Sequence, residues 1–213
     1  MDHLMEKLLQ ILFPRVCVSC EAYIEDLEPI CTRCLTSVEV YEDIFKDEGF
    51  NIFSVGPYRN EILKTIIHDF KYKRILELES VLDKLISHYI FKNNIRFNKI
   101  LCPIPLHKRK EKLRGFNQAQ VITNILEKKG LGTMKNLLIR KIDTSPQAQI
   151  KDFRKRVKNI EGAFQLIDTN TPKDREIILV DDVYTSGSTI KEARNELLKN
   201  GFANVSVFVI AKT

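Results

Sequence analysis

Residues 176–182, EIILVDD, restrict this chain more than any other stretch. Their aliphatic run does not alternate with polar residues, so a strand built from it is buried on both faces. Such a strand needs cover above and below, which helices packed on a mostly parallel sheet supply. The flanking pattern agrees. NVSVFVIA (204–211), KILCPIP (99–105), KNLLIRK (135–141) and GAFQLI (162–167) read as further strands. FNIFSVGPY (50–58) reads as a strand broken at Gly56-Pro57. Between them, residues 60–73, 78–93, 115–130 and 188–201 repeat apolar side chains at helical spacing, the last two stopping at Gly130 and Gly201. The expected fold class is α/β, a parallel sheet flanked by helices.

In open α/β sheets ligands bind beyond the carboxyl ends of the strands. Asp181 and Asp182 stand at such an end, and YTSGST (184–189) follows them into a helix. Tyr184, Thr185, Ser186, Gly187, Ser188 and Thr189 supply hydroxyls and backbone N–H groups at a helix N-terminus, a cradle for phosphate. A Walker loop needs lysine after its last glycine, whereas Ser188 follows Gly187 here. Carboxylates suit a sugar diol and repel a polyphosphate, so the segment fits a sugar phosphate. Either half alone is as easily a helix cap and a common turn; behind IILV and ahead of a helix the combination is far more specific.

Near the N-terminus, Cys17-x2-Cys20 and Cys31-x2-Cys34 offer four thiolates for a tetrahedral structural Zn²⁺. The competing account is two disulfides. MDHLMEKLLQILFP (1–14) makes a poor signal peptide, which favours a reducing compartment and zinc. That same segment reads as an amphipathic helix packed on the body; a membrane-surface or partner-binding helix is the alternative. The expected division is 1–40, N-terminal helix and cysteine module, and 41–213, the α/β domain. Cys102 reads as a buried strand thiol, and His68 and His88 as surface or partly buried histidines. No stretch approaches the ~20 apolar residues of a membrane span.

Charge is localised. HKRKEKLR (107–114) and KDFRKRVK (151–158) each carry +4, and taking both from the chain's +6 leaves −2 for the rest. Two short basic loops point to a polyanion, either phosphates or nucleic acid. Only Phe116 and Phe153 accompany them, so no base-stacking platform is evident.

Two segments are familiar. IILVDDVYTSGST resembles the phosphoribosyl-pyrophosphate (PRPP) motif of type I phosphoribosyltransferases, and CPIPLHKRKEKLRGFNQAQ resembles the signature of the ComF (competence protein F, GntX-like) family. That family also begins with a four-cysteine module. The absence of glycine directly after Cys20 is a departure. The resemblance implies a type I phosphoribosyltransferase-like fold, PRPP with Mg²⁺, structural zinc, and cytoplasmic work on single-stranded DNA beside a competence helicase. It assigns the ribose hydroxyls to Asp181 and Asp182 and the 5′-phosphate to 185–189. It assigns the pyrophosphate to Arg109, Arg114 and Gly115, with Asn117 and Gln118 orienting them. Arg140 and Lys141 would close the strand before a mobile flap at about 141–161, from which Thr144, Gln147, Arg154, Lys155 and Lys158 reach ligand or DNA. Asp181, Asp182 and Arg140 are the candidate catalytic residues. Three readings follow: a PRPP-binding protein of DNA uptake, an active phosphoribosyltransferase with an unspecified acceptor, and a PRPP-set sensor or scaffold. The location expected is the cytoplasm, with the inner membrane face as an extension of it.

Overall fold

The computed structural model describes residues 14–24, 28–73, 75, 77–143 and 160–213. All but the last residue of the expected N-terminal helix (1–14), and Thr144, Gln147, Arg154, Lys155 and Lys158, lie outside the described residues.

Six strands form the main sheet. They are β1 (Phe45–Asp47), β2 (Phe50–Pro57), β3 (Lys99–Pro103), β4 (Gly132–Met134), β7 (Ile177–Tyr184) and β8 (Val205–Lys212), in the order β1-β2-β8-β7-β3-β4. All pairs are parallel except the short edge hairpin β1–β2. The central β7 shows the two-sided burial its composition demands. Ile178 and Val180 join one core with α2 (Glu61–Tyr72), α3 (Leu78–Lys92) and α5 (Gln118–Lys128), while Ile177 and Leu179 join a second core with α6 (Ser188–Lys199). In β8, Phe208 and Ile210 follow the first core and Val207 and Val209 the second, as strand alternation requires. The first core also takes in Cys17, Ile30, Cys34 and Val38, so the cysteine segment and its short helix α1 (Thr32–Thr36) rest on the body of the protein.

Four details differ from the sequence reading. First, β2 runs unbroken through Gly56 and Pro57, which pair with Ala211 and Lys212. β1 covers only Phe50–Ile52, so Pro57 sits at an edge where a missing N–H breaks no ladder bond. Second, the basic segment is not a loop: Lys108–Arg114 form the helix α4. Its Lys, Arg, Glu and Leu are good helix formers, His107 Nδ1 accepts from the Arg109 N–H at its start, and Gly115 (φ 88°) ends it in the left-handed conformation. Third, residues 138–140 leave the main sheet. β5 (Leu138–Arg140) pairs antiparallel with β6 (Phe164–Leu166) in a separate two-stranded sheet over the α6 face. Carboxylates on α6 fasten it, Glu192 accepting from Gly162 N–H (2.8 Å) and Glu196 from Leu166 N–H (3.0 Å). Fourth, the place of that strand at the sheet edge is taken by the three residues of β4, too short to carry a periodic signal.

The chain between the cysteine segment and the sheet lies against β2, where Tyr41 N–H donates to Val55 O at 2.9 Å. A Cβ at Gly56 would overlap the Glu39 carbonyl oxygen, which is backbone and has no rotamer to escape into. Gly56→Ala is therefore expected to cost about 1–3 kcal/mol, read as a lower urea midpoint with unchanged slope.

Candidate functional site

The connection leaving β3 runs outward to β4, while the chain later returns to β7 on the other side of β3 and continues to β8. The winding thus reverses between β3 and β7, and the crevice at such a switch point is where α/β sheets hold ligands. Both strands carry the candidate residues at their carboxyl ends. Ile104 N–H donates to Val180 O (2.9 Å), bringing the start of the basic segment beside Asp181.

The same alternation that buries β7 on both faces separates its two acids. Asp182 continues the side of Ile178 and Val180, and there meets the end of α2: Lys71 Nζ lies 2.7 Å from its Oδ2, with both side chains largely buried. Burial works against the Lys71 ammonium, but the charge of Asp182 outweighs it and raises its pKa. Asp181 continues the side of Ile177 and Leu179, toward Arg140 of β5. Its Oδ1 accepts from the Asp182 N–H at 2.9 Å. Burial, reinforced by the charge of Asp182, pushes its carboxyl up to about 7 against the pull of Lys71 and Arg140. Arg140 feels the attraction of Asp181 while burial lowers its pKa.

The turn after β7 is held from below. Tyr184 is buried, and its phenol donates to Asp47 at the tip of the β1–β2 hairpin. Lys191, one turn into α6, binds the same tip through Asp47 (3.1 Å) and Glu48 (2.8 Å). Gly187 (φ 71°) crosses directly over the Tyr184 ring, where a side chain would collide with the phenol. No side chain caps α6, and the Ser186 and Ser188 hydroxyls lie 3.0 Å apart beside its first turn. The C-terminal Thr213 closes the arrangement, its N–H donating to Tyr184 O and its hydroxyl to Thr185 O. Thr185 is exposed and Ser186 and Thr189 partly so, which leaves the upper side of the turn accessible.

On the β3 side, Asn117 caps α5 through the Ala119 N–H and donates to Ile104 O (3.0 Å), tying helix to strand end. Gln118 is buried and its Oε1 accepts from Arg114 at 2.6 Å. The Arg114 guanidinium lies 5.3 Å from the centre of the Tyr72 ring. The two residues expected to orient the pyrophosphate arm thus hold Arg114 and the strand end. Arg109 is mostly exposed and pairs with Asp143 (3.6 Å). Lys110 lies within the field of Arg140 and Arg114, and its pKa falls through burial and then through Arg140.

All five cysteines of the chain are free thiols, and in the cysteine module Sγ of Cys17, Cys20, Cys31 and Cys34 lie within 4.8 Å of one another. A tetrahedral ion 2.3 Å from each sulfur spaces them about 3.8 Å apart, and Cys20 and Cys31 stand at 3.7 Å. The cluster is able to hold a metal such as zinc. The first knuckle folds around Cys17, whose N–H donates to Ala22 O. Glu21 there takes φ 59°, the left-handed conformation in which glycine would stand without strain. Cys102 is fully buried and its thiol is pushed up to about 12 by burial. His68 and His88 are both exposed.

No protein-family profile matches the chain. Curated relatives do. Competence protein F of Haemophilus influenzae is 25% identical over 208 residues, 92% of this chain and 90% of its own. Competence protein ComFC of Bacillus subtilis is 27% identical over 213 residues, 93% and 85% of the two chains. DNA utilization protein YhgH of Shigella flexneri is 28% identical over 188 residues, 86% and 78%. The chain is a homologue of the competence F proteins. A solved structure of the allosteric regulatory enzyme of purine biosynthesis aligns with TM-score 0.39 and 13% identity, covering 62% of this chain and 26% of that one.

Local sequence pointed to the strand end, the turn and the cysteines. It missed Lys71, more than a hundred positions before its partner Asp182, and Asp47 with Glu48, which brace the turn from an edge hairpin. No motif or spacing marks either; only hairpin and helix placement brings them in.

Two outcomes follow. Glu21→Gly should raise stability by about 0.5–1 kcal/mol by relieving the left-handed strain, measured by thermal melting of the metal-loaded protein. An acid with a raised native pKa contributes stability that is complete below its unfolded value of about 3.9 and lost as pH climbs through the native one. For Asp181 that window closes at about 7. Asp181→Asn should therefore flatten the fall in urea midpoint between acidic and neutral pH and be the more stable protein at pH 8.

Proposed function

We propose that this protein binds PRPP at the β3–β7 switch point and acts in DNA uptake, handling single-stranded DNA in the cytoplasm. The observation that carries the first part is the pairing of an acid-bearing strand end with an uncapped helix N-terminus across one turn. Asp181 and Asp182 accept from ribose hydroxyls. The N–H groups and hydroxyls of Thr185–Thr189 take the 5′-phosphate. Arg114, Lys110 and Arg140 face the pyrophosphate, with arginine forks suited to bidentate binding of its oxygens. Tyr184 acts beneath the turn by setting its height.

Asp181 and Asp182 are also the residues that would hold Mg²⁺ arriving with PRPP. The metal would supply positive charge to offset that of the bound phosphates. Lys71 serves Asp182 as counter-ion in the ligand-free protein. The four cysteines would hold structural zinc, and a competence helicase would be the protein partner, as the family resemblance implies.

The names competence protein F, ComFC and DNA utilization protein YhgH support the second part. Among the described residues no helix is long and apolar enough to cross a membrane.

Calorimetric titration with PRPP and Mg²⁺ tests the reading. The wild type should bind, Asp182→Asn and Asp181→Asn should each weaken binding by about tenfold or more, and added single-stranded DNA should shift the PRPP affinity. Absence of PRPP binding by the zinc-loaded wild type would refute the site.

A further inference from the structure

The basic segment lacks aromatic residues in sequence, yet the fold places aromatic rings beside it. Tyr72, in the last turn of α2, is 60% exposed. The His68 ring lies 5.0 Å from its centre, and Arg114 of α4 lies over it at 5.3 Å. Two residues earlier on α2, Phe70 packs edge-on against Phe116 at 5.0 Å, fixing the end of α2 against the turn that follows α4.

The platform is braced. Asp69 is buried, its two oxygens engaging His68 Nδ1 (3.0 Å) and Lys73 Nζ (2.9 Å). A buried carboxylate with both oxygens engaged restrains the imidazole where it meets the Tyr72 ring. The helix that brings Arg114 to this ring carries further cations. Lys108 and Lys112 of α4 are exposed, and among the described residues neither forms an ion pair. Exposed aromatic faces beside unneutralised cations suit a flexible polyanion with π-faces along its length. Single-stranded nucleic acid has that chemistry, whereas a duplex keeps its bases stacked inside.

We propose that the adjoining ends of α2 and α4 form a single-strand DNA track, in which Tyr72, steadied by His68 and Arg114, stacks on a base while Lys108 and Lys112 follow the phosphates. This rests on the nucleic-acid part of the proposed function and locates it on the described body of the protein. Because Lys71 lies between Phe70 and Tyr72 and binds Asp182, the track begins at the rim of the strand-end site. DNA and the sugar-phosphate ligand would then meet across α2.

The test is fluorescence anisotropy with a labelled oligo-dT of about 20 nucleotides, on the full-length zinc-loaded protein. The comparisons are an abasic strand of equal length and a duplex. Stacking on one base is worth about five- to 150-fold in affinity. Tyr72→Ala should lose that factor on oligo-dT and almost nothing on the abasic strand, and Tyr72→Phe should restore binding. Lys112→Ala should lower the salt slope by about 0.7 on both single strands. Melting curves matching wild type establish that each variant is folded. An unchanged oligo-dT affinity for folded Tyr72→Ala, an equal loss on the abasic strand, or a duplex bound as tightly as oligo-dT would overturn the track. Wild-type protein that binds no single strand would overturn the nucleic-acid reading itself.

Discussion

Side-chain alternation along β7 is the constraint on which the remaining architecture depends. Four aliphatics buried on both faces require two cores, and the chain builds them from α2, α3 and α5 on one side and α6 with the β5–β6 pair on the other. When the strand runs out of aliphatics the alternation does not stop. It delivers Asp182 to the α2 face and Asp181 to the α6 face, so each acid meets a cation from the element covering its own side. Lys71 and Arg140 are in place because their elements were needed as cover for the strand.

This coupling explains how a strongly acidic strand end is tolerated within a folded protein. Two adjacent carboxylates near a buried sheet edge repel each other and lose hydration. Lys71 pairs with Asp182 at 2.7 Å, while burial and the neighbouring charge of Asp182 drive Asp181 toward protonation. The pair is therefore unequal before any ligand arrives. A ligand bringing hydroxyl donors or a divalent cation would relieve the Asp181 side and compete with Lys71 on the Asp182 side.

The turn after β7 shows a second division of labour. Its upper side keeps hydroxyls and N–H groups accessible, and its lower side is fixed by contacts remote in sequence: Tyr184 to Asp47, Lys191 to Asp47 and Glu48, and Thr213 to the carbonyls of Tyr184 and Thr185. Gly187 is required because the tyrosine ring occupies the space a side chain would need. The flanking β1–β2 hairpin, a minor edge element of the sheet, thus sets the height of the turn.

Much was legible from the residues alone. The aliphatic run, the helical periodicities and the Cys-x2-Cys pairs are local signals, and each became the strand, helix or thiol cluster expected, because burial on both faces and ligand spacing are written in consecutive residues. The unbroken β2, the helical α4 and the detached β5–β6 pair were not legible, since each turns on a neighbour: an edge position that tolerates Pro57, a His107 cap with a Gly115 stop, and α6 carboxylates that hold a hairpin away from the sheet. The aromatic partners of the basic segment were invisible for the same reason, Tyr72 and Arg114 being joined only by packing. Sequence by itself determined which segments could be strands or helices and which carry thiolates, acids and hydroxyls, because backbone period and side-chain chemistry are properties of short stretches. Tertiary structure alone decided which cation answers each acid and which ring lies beside which charge, because those pairings depend on how distant elements cover the two faces of one strand.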